Sequence, residues 1–134
     1  ACALGGIVGA EARYGVSTAI SHRADQFAWS TVIINASGCL LIGVLMVVLV
    51  ELMTAPHHLI RPFLGVGVLG GYTTYSTFAV DVHQLLLAHR PLAALAYAVA
   101  TLVACGLAVW AGTWVTLRIG RTVLARKPKV GAEA

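Results

Sequence analysis

One stretch of the sequence, Gly70 to Phe78, combines residue types that could bind an ion. It holds four serine and threonine residues and three aromatic residues in nine positions, within an apolar segment. The glycines are expected to release the backbone from helical dihedrals, and the hydroxyl of Thr73 or Thr74 to cap the half-helix that follows. A helix broken in this way presents free carbonyl groups where it stops and free N–H groups where it resumes, which attract a cation and an anion respectively. The alternative is a plain kink whose hydroxyls bond to their own helix.

The aromatic residues of this stretch could line a path for an anion. Tyr75 and Phe78 lie three positions apart, so they share one face of the second half-helix. Aromatic ring edges are electropositive and can contact an anion weakly. Ser76 and Thr77 beside them supply hydroxyl donors. Ordinary packing is the competing interpretation of two aromatic residues at this spacing.

Polar side chains also occur in two other apolar segments. Tyr97, Thr101 and Cys105 are spaced four residues apart and would form a polar track along one helix face. Asn35 brings a side-chain amide into the second segment, and Gly38 on the same face permits a close approach of another helix. The alternative for the track is that its side chains bond to the backbone of their own helix. The alternative for Asn35 is a hydrogen bond to another helix.

Three charged residues stand inside or next to the apolar segments. Glu11 and Arg13 in the first segment are costly in lipid, so they are expected to pair with each other, with another polar group or with an interface. Asp81, after the predicted break, is expected to face water or a partner chain. None of the three forms a recognisable catalytic pattern.

The composition requires that these residues be positioned by membrane helices. The 134-residue chain is 59% hydrophobic and 10% charged, with a mean hydropathy of +0.87, so a soluble domain would lack the polar surface to cover its apolar mass. The net charge of +4 favours contact with lipid headgroups, and nucleic-acid binding is not expected. Cys2, Cys39 and Cys105 are odd in number and widely spaced, which predicts packing residues and neither a disulfide framework nor a zinc site.

Four apolar segments fill the chain, each near or above the length needed to cross a bilayer. We predict spans at 2–20, 29–50, 59–88 and 92–117, the third one broken, with Pro56 in the turn after the second. Residues 1–120 would form the membrane domain and 121–134 a basic, mobile tail. That tail contains Arg121, Arg126, Lys127 and Lys129.

The predicted topology leaves the orientation open. Arginines near the helix ends are almost balanced between the two sides, which permits insertion in both orientations, whereas the basic tail favours the termini inside. Small residues four apart, as in Gly5 and Gly9 or Gly67 and Gly71, suit close helix packing, and their number predicts a dimer. Ala108 and Gly112 form a third such pair.

With these residues collected, nearly the whole chain resembles the CrcB/Fluc family of fluoride channels. The segment from Gly5 to Tyr14 is similar to the opening GGxxGAxxRY motif of that family. Asn35-Ala36-Ser37-Gly38 is similar to its N-x-x-G motif, and Gly70 to Phe78 to GGxTTFSTF. Each short motif is weak alone, whereas the three together are highly specific.

The resemblance implies an all-α membrane protein of four transmembrane helices with a broken third helix, assembled as an antiparallel dual-topology dimer. It implies a structural sodium ion at the dimer centre, held by main-chain carbonyls at Gly70 and Thr73 of each chain. Fluoride would pass from the cytoplasm outward without an energy source, and no enzymatic activity is implied. The matching fluoride-pathway residues are Asn35, Tyr75, Ser76, Thr77, Phe78, Tyr97, Thr101 and Cys105, and Arg13 matches the structural arginine of the first helix.

The sequence departs from the family pattern at two positions, since Tyr75 stands where a phenylalanine is usual and Cys105 where a hydroxyl is expected. Both changes bear on fluoride coordination and rate. The implied location is the plasma membrane of a bacterium, and the partner could be an identical chain or a paralogue. Two other interpretations remain: a small multidrug-resistance-type exporter that uses Glu11 for proton exchange, and a non-transporting assembly subunit.

Overall fold

The computed structural model describes residues 1–23, 26–53 and 57–125, with side chains as far as Thr122. Helices and short connections make up this described part of the chain. Pro56, Arg126, Lys127 and Lys129, on which the sequence predicted a turn and a tail, lie outside it. The helices are α1 (Cys2–Ala19), α2 (Trp29–Val47, continued by the π-helical Val48–Leu52), α3 (the π-helical Arg61–Leu69 and the α-helical Gly70–Tyr72), α4 (Tyr75–Leu87) and α5 (Pro91–Ala125).

Two helices have the length and composition of membrane spans. They are Trp29–Leu52, with a mean hydropathy of 2.6, and Pro91–Thr122, with 2.2. The first segment contains Glu11 and Arg13, and α3 and α4 are separate helices, each shorter than α2. The prediction of four helical segments with the third one broken is therefore confirmed, and a membrane span is indicated by length and hydropathy for two of them.

The third segment breaks at Thr73 and Thr74, where the backbone is extended with ψ values of 155° and 123°. The glycines were predicted to cause this break, and that part of the prediction is wrong. Gly70 is helical, with φ −66° and ψ −34°. The helix ends because Thr74 bonds to a neighbouring helix, as described below.

The glycines instead permit the close packing of α1 on α3. A methyl group on Gly71 would lie 2.5 Å from the carbonyl oxygen of Gly6, and one on Gly9 would overlap the carbonyl oxygen of Val68. A methyl group on Gly67 would come within 2.8 Å of the carbonyl oxygen of Cys2. Since these small residues are used within one chain, their number no longer argues for a dimer.

Helices α2 and α5 run in the same direction along one another. A methyl group on Gly43 would lie 2.5 Å from the carbonyl oxygen of Val109, and one on Gly120 would lie 2.5 Å from Leu52 of the α2 continuation. At the other end, Ala28 and Val32 share a buried apolar cluster with Tyr97. The α5 helix continues to Ala125, past the end predicted at Leu117, so Arg118 and Arg121 are helical. The division into a membrane domain and a mobile tail stays a prediction.

Candidate functional site

The side-chain amide of Asn35 in α2 bonds to the backbone at the break in the third segment. The Nδ2 atom of Asn35 donates to the carbonyl oxygen of Thr74 at 2.9 Å, and its Oδ1 atom accepts from the N–H group of Thr74 at 2.8 Å. Both residues are buried, with exposed fractions of 8% and 7%. In a continuous helix the N–H group of Thr74 would donate to Gly70. The amide replaces that bond, and the backbone can therefore stay extended without an unsatisfied donor.

Neighbouring residues of α2 fix the same joint. The hydroxyl groups of Ser37 and Tyr72 are hydrogen-bonded at 2.9 Å. Gly38 faces the methyl group of Thr73 so closely that any side chain at position 38 would overlap it. Three residues in the Asn35–Gly38 stretch thus contact three consecutive residues at the break. We call this contact the helix-break joint.

Thr74 also caps the helix that begins after the break. Its hydroxyl oxygen accepts from the N–H group of Thr77 at 3.1 Å, which confirms one of the two caps considered from the sequence. The same hydroxyl lies 3.2 Å from the hydroxyl of Ser76 and donates to that of Thr77 at 3.0 Å. Ser76 and Thr77 are exposed in the single chain. Their hydroxyl groups therefore form a small polar surface at the start of α4.

A cavity of about 280 Å³ lies against the helix-break joint. Five of the eight residues assigned to the fluoride pathway line it, and Cys39, Ile42 and Leu102 complete much of its wall. Tyr75 and Phe78 are neighbours, with ring centroids 5.9 Å apart, as their spacing predicted. The five are Asn35, Tyr75, Phe78, Thr101 and Cys105.

The hydroxyl groups of the predicted polar track bond within the chain. Thr101 donates to the carbonyl oxygen of Tyr97 at 2.8 Å, which is the bond to its own helix considered as the alternative. Tyr97 is fully buried and packs between two aromatic rings, with centroid distances of 5.1 Å to Phe27 and 5.6 Å to Phe78. Its hydroxyl donates to Asp81 at 3.0 Å. Thr101 and Cys105 therefore line the cavity, whereas Tyr97 supports its wall.

Asp81 is buried inside the chain, with 6% of its surface exposed, so the expectation that it faces water or a partner is wrong. Its Oδ2 atom accepts from Thr31 at 2.7 Å and from Tyr97 at 3.0 Å. The Nε2 atom of His22 lies 3.6 Å from Oδ1, and the other ring nitrogen of His22 is 3.2 Å from the hydroxyl of Ser30. We call these five residues the Asp81 cluster. A carboxylate needs such donors when it leaves water.

The contacts of the Asp81 cluster were not predicted from the sequence, although one signal of them is present there. Thr31 lies four residues before Asn35, so the two polar side chains share a face of α2. That face continues the polar contacts from the helix-break joint to Asp81. A second polar residue at this spacing could have indicated a buried partner on the third segment.

Arg13 and Gly70 lie away from this cavity. Arg13 is half-buried on α1 and Glu11 is exposed, and within the described ranges neither side chain is joined to another residue by a hydrogen bond or an ion pair. Gly70 is exposed on the single chain. The structural role of Arg13 and the sodium role of Gly70 and Thr73 remain predictions.

Comparison with known proteins gives one consistent family. A family profile described as "CrcB-like protein, Camphor Resistance (CrcB)" matches residues 1–113. The chain is 49% identical over 117 residues to the fluoride-specific ion channel FluC 1 of Streptomyces coelicolor, covering 87% of this chain and 75% of that one.

Two further relatives carry a similar name. The fluoride-specific ion channel FluC 2 of Streptomyces avermitilis is 49% identical over 100 residues, which are 75% of this chain and 63% of that protein. The FluC 2 channel of Thermobifida fusca is 43% identical over 127 residues, which are 95% and 93% of the two chains. The helix-break joint, the aromatic pair and the polar track thus belong to a chain whose relatives are ion channels. The chain is a member of the CrcB family, a family of ion channels and not of enzymes.

Proposed function

We propose that this protein is a fluoride-selective channel that releases fluoride passively across the cell membrane. The observation that carries the proposal is the cavity at the helix-break joint, where an amide, two aromatic rings, threonine side chains and two thiols meet. The names of the relatives support fluoride as the ion. Such a channel would lower the toxic concentration of fluoride in the cytoplasm.

The cavity offers an anion neutral donors in place of water. One N–H bond of the Asn35 amide is used by Thr74, and the NH₂ group has a second one that can face an anion. The ring edges of Tyr75 and Phe78 add weak electropositive contacts. Thr101 can donate only after its hydroxyl turns away from Tyr97, at a cost of about 1 kcal/mol for the lost hydrogen bond. A small anion gains most from such close contacts, so a narrow path disfavours chloride.

All four segments would cross the membrane in this proposal. Large apolar side chains point outward from the single chain along several helices, including Ile7 of α1, Val80 of α4 and Leu107 of α5, which are between 52% and 61% exposed. Only 17% of the apolar window of α5 is buried, less than the core helix of a soluble protein would need. Lipid is the environment that such surfaces require.

A second copy of the chain in the opposite orientation would complete the assembly, or a paralogue in its place. Tyr75 lines the cavity, yet 81% of its surface is exposed in one chain. Ser76 and Thr77 beside it are exposed as well. A partner packed on this surface would enclose the aromatic pair and leave a path between protein walls.

The carbonyl groups at the break fit a structural sodium ion. In a continuous helix the carbonyl oxygen of Gly70 would accept from the N–H group of Thr74, but that group donates to Asn35. The carbonyl oxygen of Thr73 would accept from the N–H group of Thr77, but that group donates to the hydroxyl of Thr74. Both carbonyl oxygens are therefore available as neutral, hard ligands, which suit sodium. Two chains would supply four of them. The bound cation would contribute a fixed positive charge that raises the local potential for fluoride.

A liposome assay tests the proposal. Purified protein is reconstituted into liposomes loaded with potassium fluoride, and release is recorded with a fluoride electrode after valinomycin is added. We expect fluoride release without a proton gradient and no chloride release from matched liposomes loaded with potassium chloride. A low concentration of a sodium salt is present on both sides of the membrane in this assay, and replacing it by the salt of a large organic cation should reduce the release if sodium holds the assembly.

The competing transport mechanism predicts a different result. A proton-coupled exporter would move a lipophilic cation when a pH gradient is imposed and would leave fluoride inside the liposomes. That outcome would overturn the proposal. Glu11→Gln is the matching variant, since it should abolish proton-coupled export but leave a fluoride channel active. Absence of transport in both assays, with folded protein in the liposomes, would favour an assembly subunit.

A further inference from the structure

Two cysteines face the same cavity from different helices. Cys39 of α2 and Cys105 of α5 both line it, both are half-buried, and both carry free thiols. The fluoride pathway gives a role to Cys105 at most, and it gives none to Cys39.

The packing of α2 on α5 explains why these side chains meet. The backbones approach closely at Gly43 and Val109, where a methyl group on Gly43 would lie 2.5 Å from the carbonyl oxygen of Val109. Cys39 and Cys105 each precede this contact by four residues, or one helical turn, on helices that run in the same direction. Both thiols therefore lie one turn from the same helix contact, where they line the cavity.

We propose that Cys39 and Cys105 form a two-thiol binding site for a soft divalent cation that prefers two ligands in line, of which mercuric ion is the prototype. Soft thiolate ligands select soft metals. Zinc would require four ligands, and the described residues hold no cluster of three or more histidine, cysteine, aspartate or glutamate side chains. The two thiols therefore match a two-coordinate cation better than a tetrahedral one.

Charge balance selects a divalent ion over a monovalent one. Each S–H bond breaks and each sulfur forms one bond to the metal, so that Hg²⁺ and two thiols give a neutral bis-thiolate complex and two protons, which leave through the open side of the cavity. No electron is transferred. A monovalent cation with the same two thiolates would leave one negative charge in an apolar wall, and burying that charge is costly.

The bound ion would occupy the cavity and obstruct it. In a step that rests on the proposed function, fluoride release should therefore stop when the site is filled. A thiol reductant in excess, such as dithiothreitol, should remove the metal and restore release. Cys105 stands where the family pattern has a hydroxyl, and its thiol supplies the second ligand of the site. This channel should therefore be sensitive to mercuric ion.

Binding is measured first, without any transport. Cys2→Ser removes the third thiol, which lies at the start of α1, and serves as the background for all measurements. Mercuric ion is added to this variant in detergent, and intact-protein mass spectrometry is combined with thiol titration and the ultraviolet thiolate-to-mercury absorbance. We expect one mercury per chain, the loss of both titratable thiols and a mass increase of one mercury less two protons.

The single replacements Cys39→Ser and Cys105→Ser, made in this background, test whether both thiols act together. A two-ligand site gains from the second ligand through its high local concentration, so either replacement should weaken mercury binding on the order of a hundredfold. Two mercury ions per chain, or equal affinity of the single-thiol variants, would overturn the site. A mercury ion bound between cysteines of two chains, with none bound within one chain, would also overturn the site.

Transport then tests the obstruction separately. Fluoride release by each variant is compared with its own release before mercury is added, so that any effect of the replacement alone cancels. The Cys2→Ser background should be blocked and then recover with dithiothreitol, while both single-thiol variants should be resistant at the same concentration. If no variant releases fluoride, the proposed function fails but the binding result stands. If mercury binds as expected and release continues, the obstruction is wrong.

Discussion

The helix-break joint and the Asp81 cluster begin on one face of α2, yet they differ in charge and in their relation to the cavity. Asn35 makes two neutral hydrogen bonds to the backbone of Thr74 and lines the cavity. Thr31, one turn earlier, donates to the carboxylate of Asp81, which does not line the cavity. The acidic side chain is thus surrounded by donors of its own, and the cavity keeps neutral groups. An anion path needs this separation, because a carboxylate facing the path would repel the ion.

The strongest test of this contrast is Asn35→Asp, which places an acceptor and a charge where the neutral amide stands. The variant loses the donor to Thr74 and can bury an unpaired charge, so we expect destabilisation of about 3 kcal/mol and complete loss of fluoride release. Thermal unfolding in detergent and liposome flux measure the two effects. Ser37→Ala, which loses the hydroxyl contacts with Tyr72 and with the carbonyl oxygens of Ile33 and Ile34 but adds no charge, is the control and should retain release. Flux at the original rate in Asn35→Asp would show that the amide is not needed.

The second variant, Phe78→Ile, distinguishes an effect on fluoride release from an effect on folding. Isoleucine keeps most of the apolar volume but removes the ring edge, so release should be abolished while the chain stays folded. Flux in liposomes and size-exclusion chromatography distinguish these outcomes. Phe63→Ile makes the same change in α3, away from the cavity, and should leave release intact. Unchanged release in Phe78→Ile would exclude this ring from the path.

The third pair of variants concerns the Asp81 cluster alone. Asp81→Leu leaves the hydroxyl groups of Thr31 and Tyr97 without their acceptor, which should cost about 3 kcal/mol. Asp81→Asn keeps an oxygen acceptor but loses the charge, and the expected cost is about 1 kcal/mol. Thermal unfolding of both variants gives the comparison. Equal stability of the two would mean that the hydroxyl groups find other partners.

The smallest expected effect is that of Thr74→Ala at the start of α4. The substitution removes the cap that accepts from Thr77 but keeps the backbone bonds to Asn35, so a loss of about 1 kcal/mol is expected. Thr74→Ser retains a hydroxyl and should behave like the original protein. A loss as large as that of Asn35→Asp would indicate that the hydroxyl, and not the amide, holds the break.

Local signals in the sequence predicted much of this arrangement. Hydrophobic length predicted the four segments, and the hydroxyl of Thr73 or Thr74 was predicted to cap the helix after the break, although the break itself was attributed to the glycines. The cause of the break was harder to predict from the sequence, since Asn35 and Thr74 are 39 residues apart and only the packed helices bring them together. The burial of Asp81 depends on Thr31, 50 residues away, for the same reason.

The glycines illustrate a different limit of sequence reasoning. A small residue every fourth position predicts a close helix contact but does not identify the partner helix. Gly9 and Gly71 pack α1 on α3 inside the chain, whereas the sequence pattern equally permitted a contact between chains. The ions and the partner chain rest on family likeness, and they stay proposals.

The common direction of α2 and α5 gives one chain two unlike ends. Both helices begin at one end, at Trp29 and Pro91, and α5 carries Arg118 and Arg121 towards the other. An ion crossing beside a single orientation would meet an uneven potential and would pass more readily in one direction. An opposed second chain cancels this bias, and the current through a single assembly in equal fluoride solutions should then be the same at positive and negative voltages.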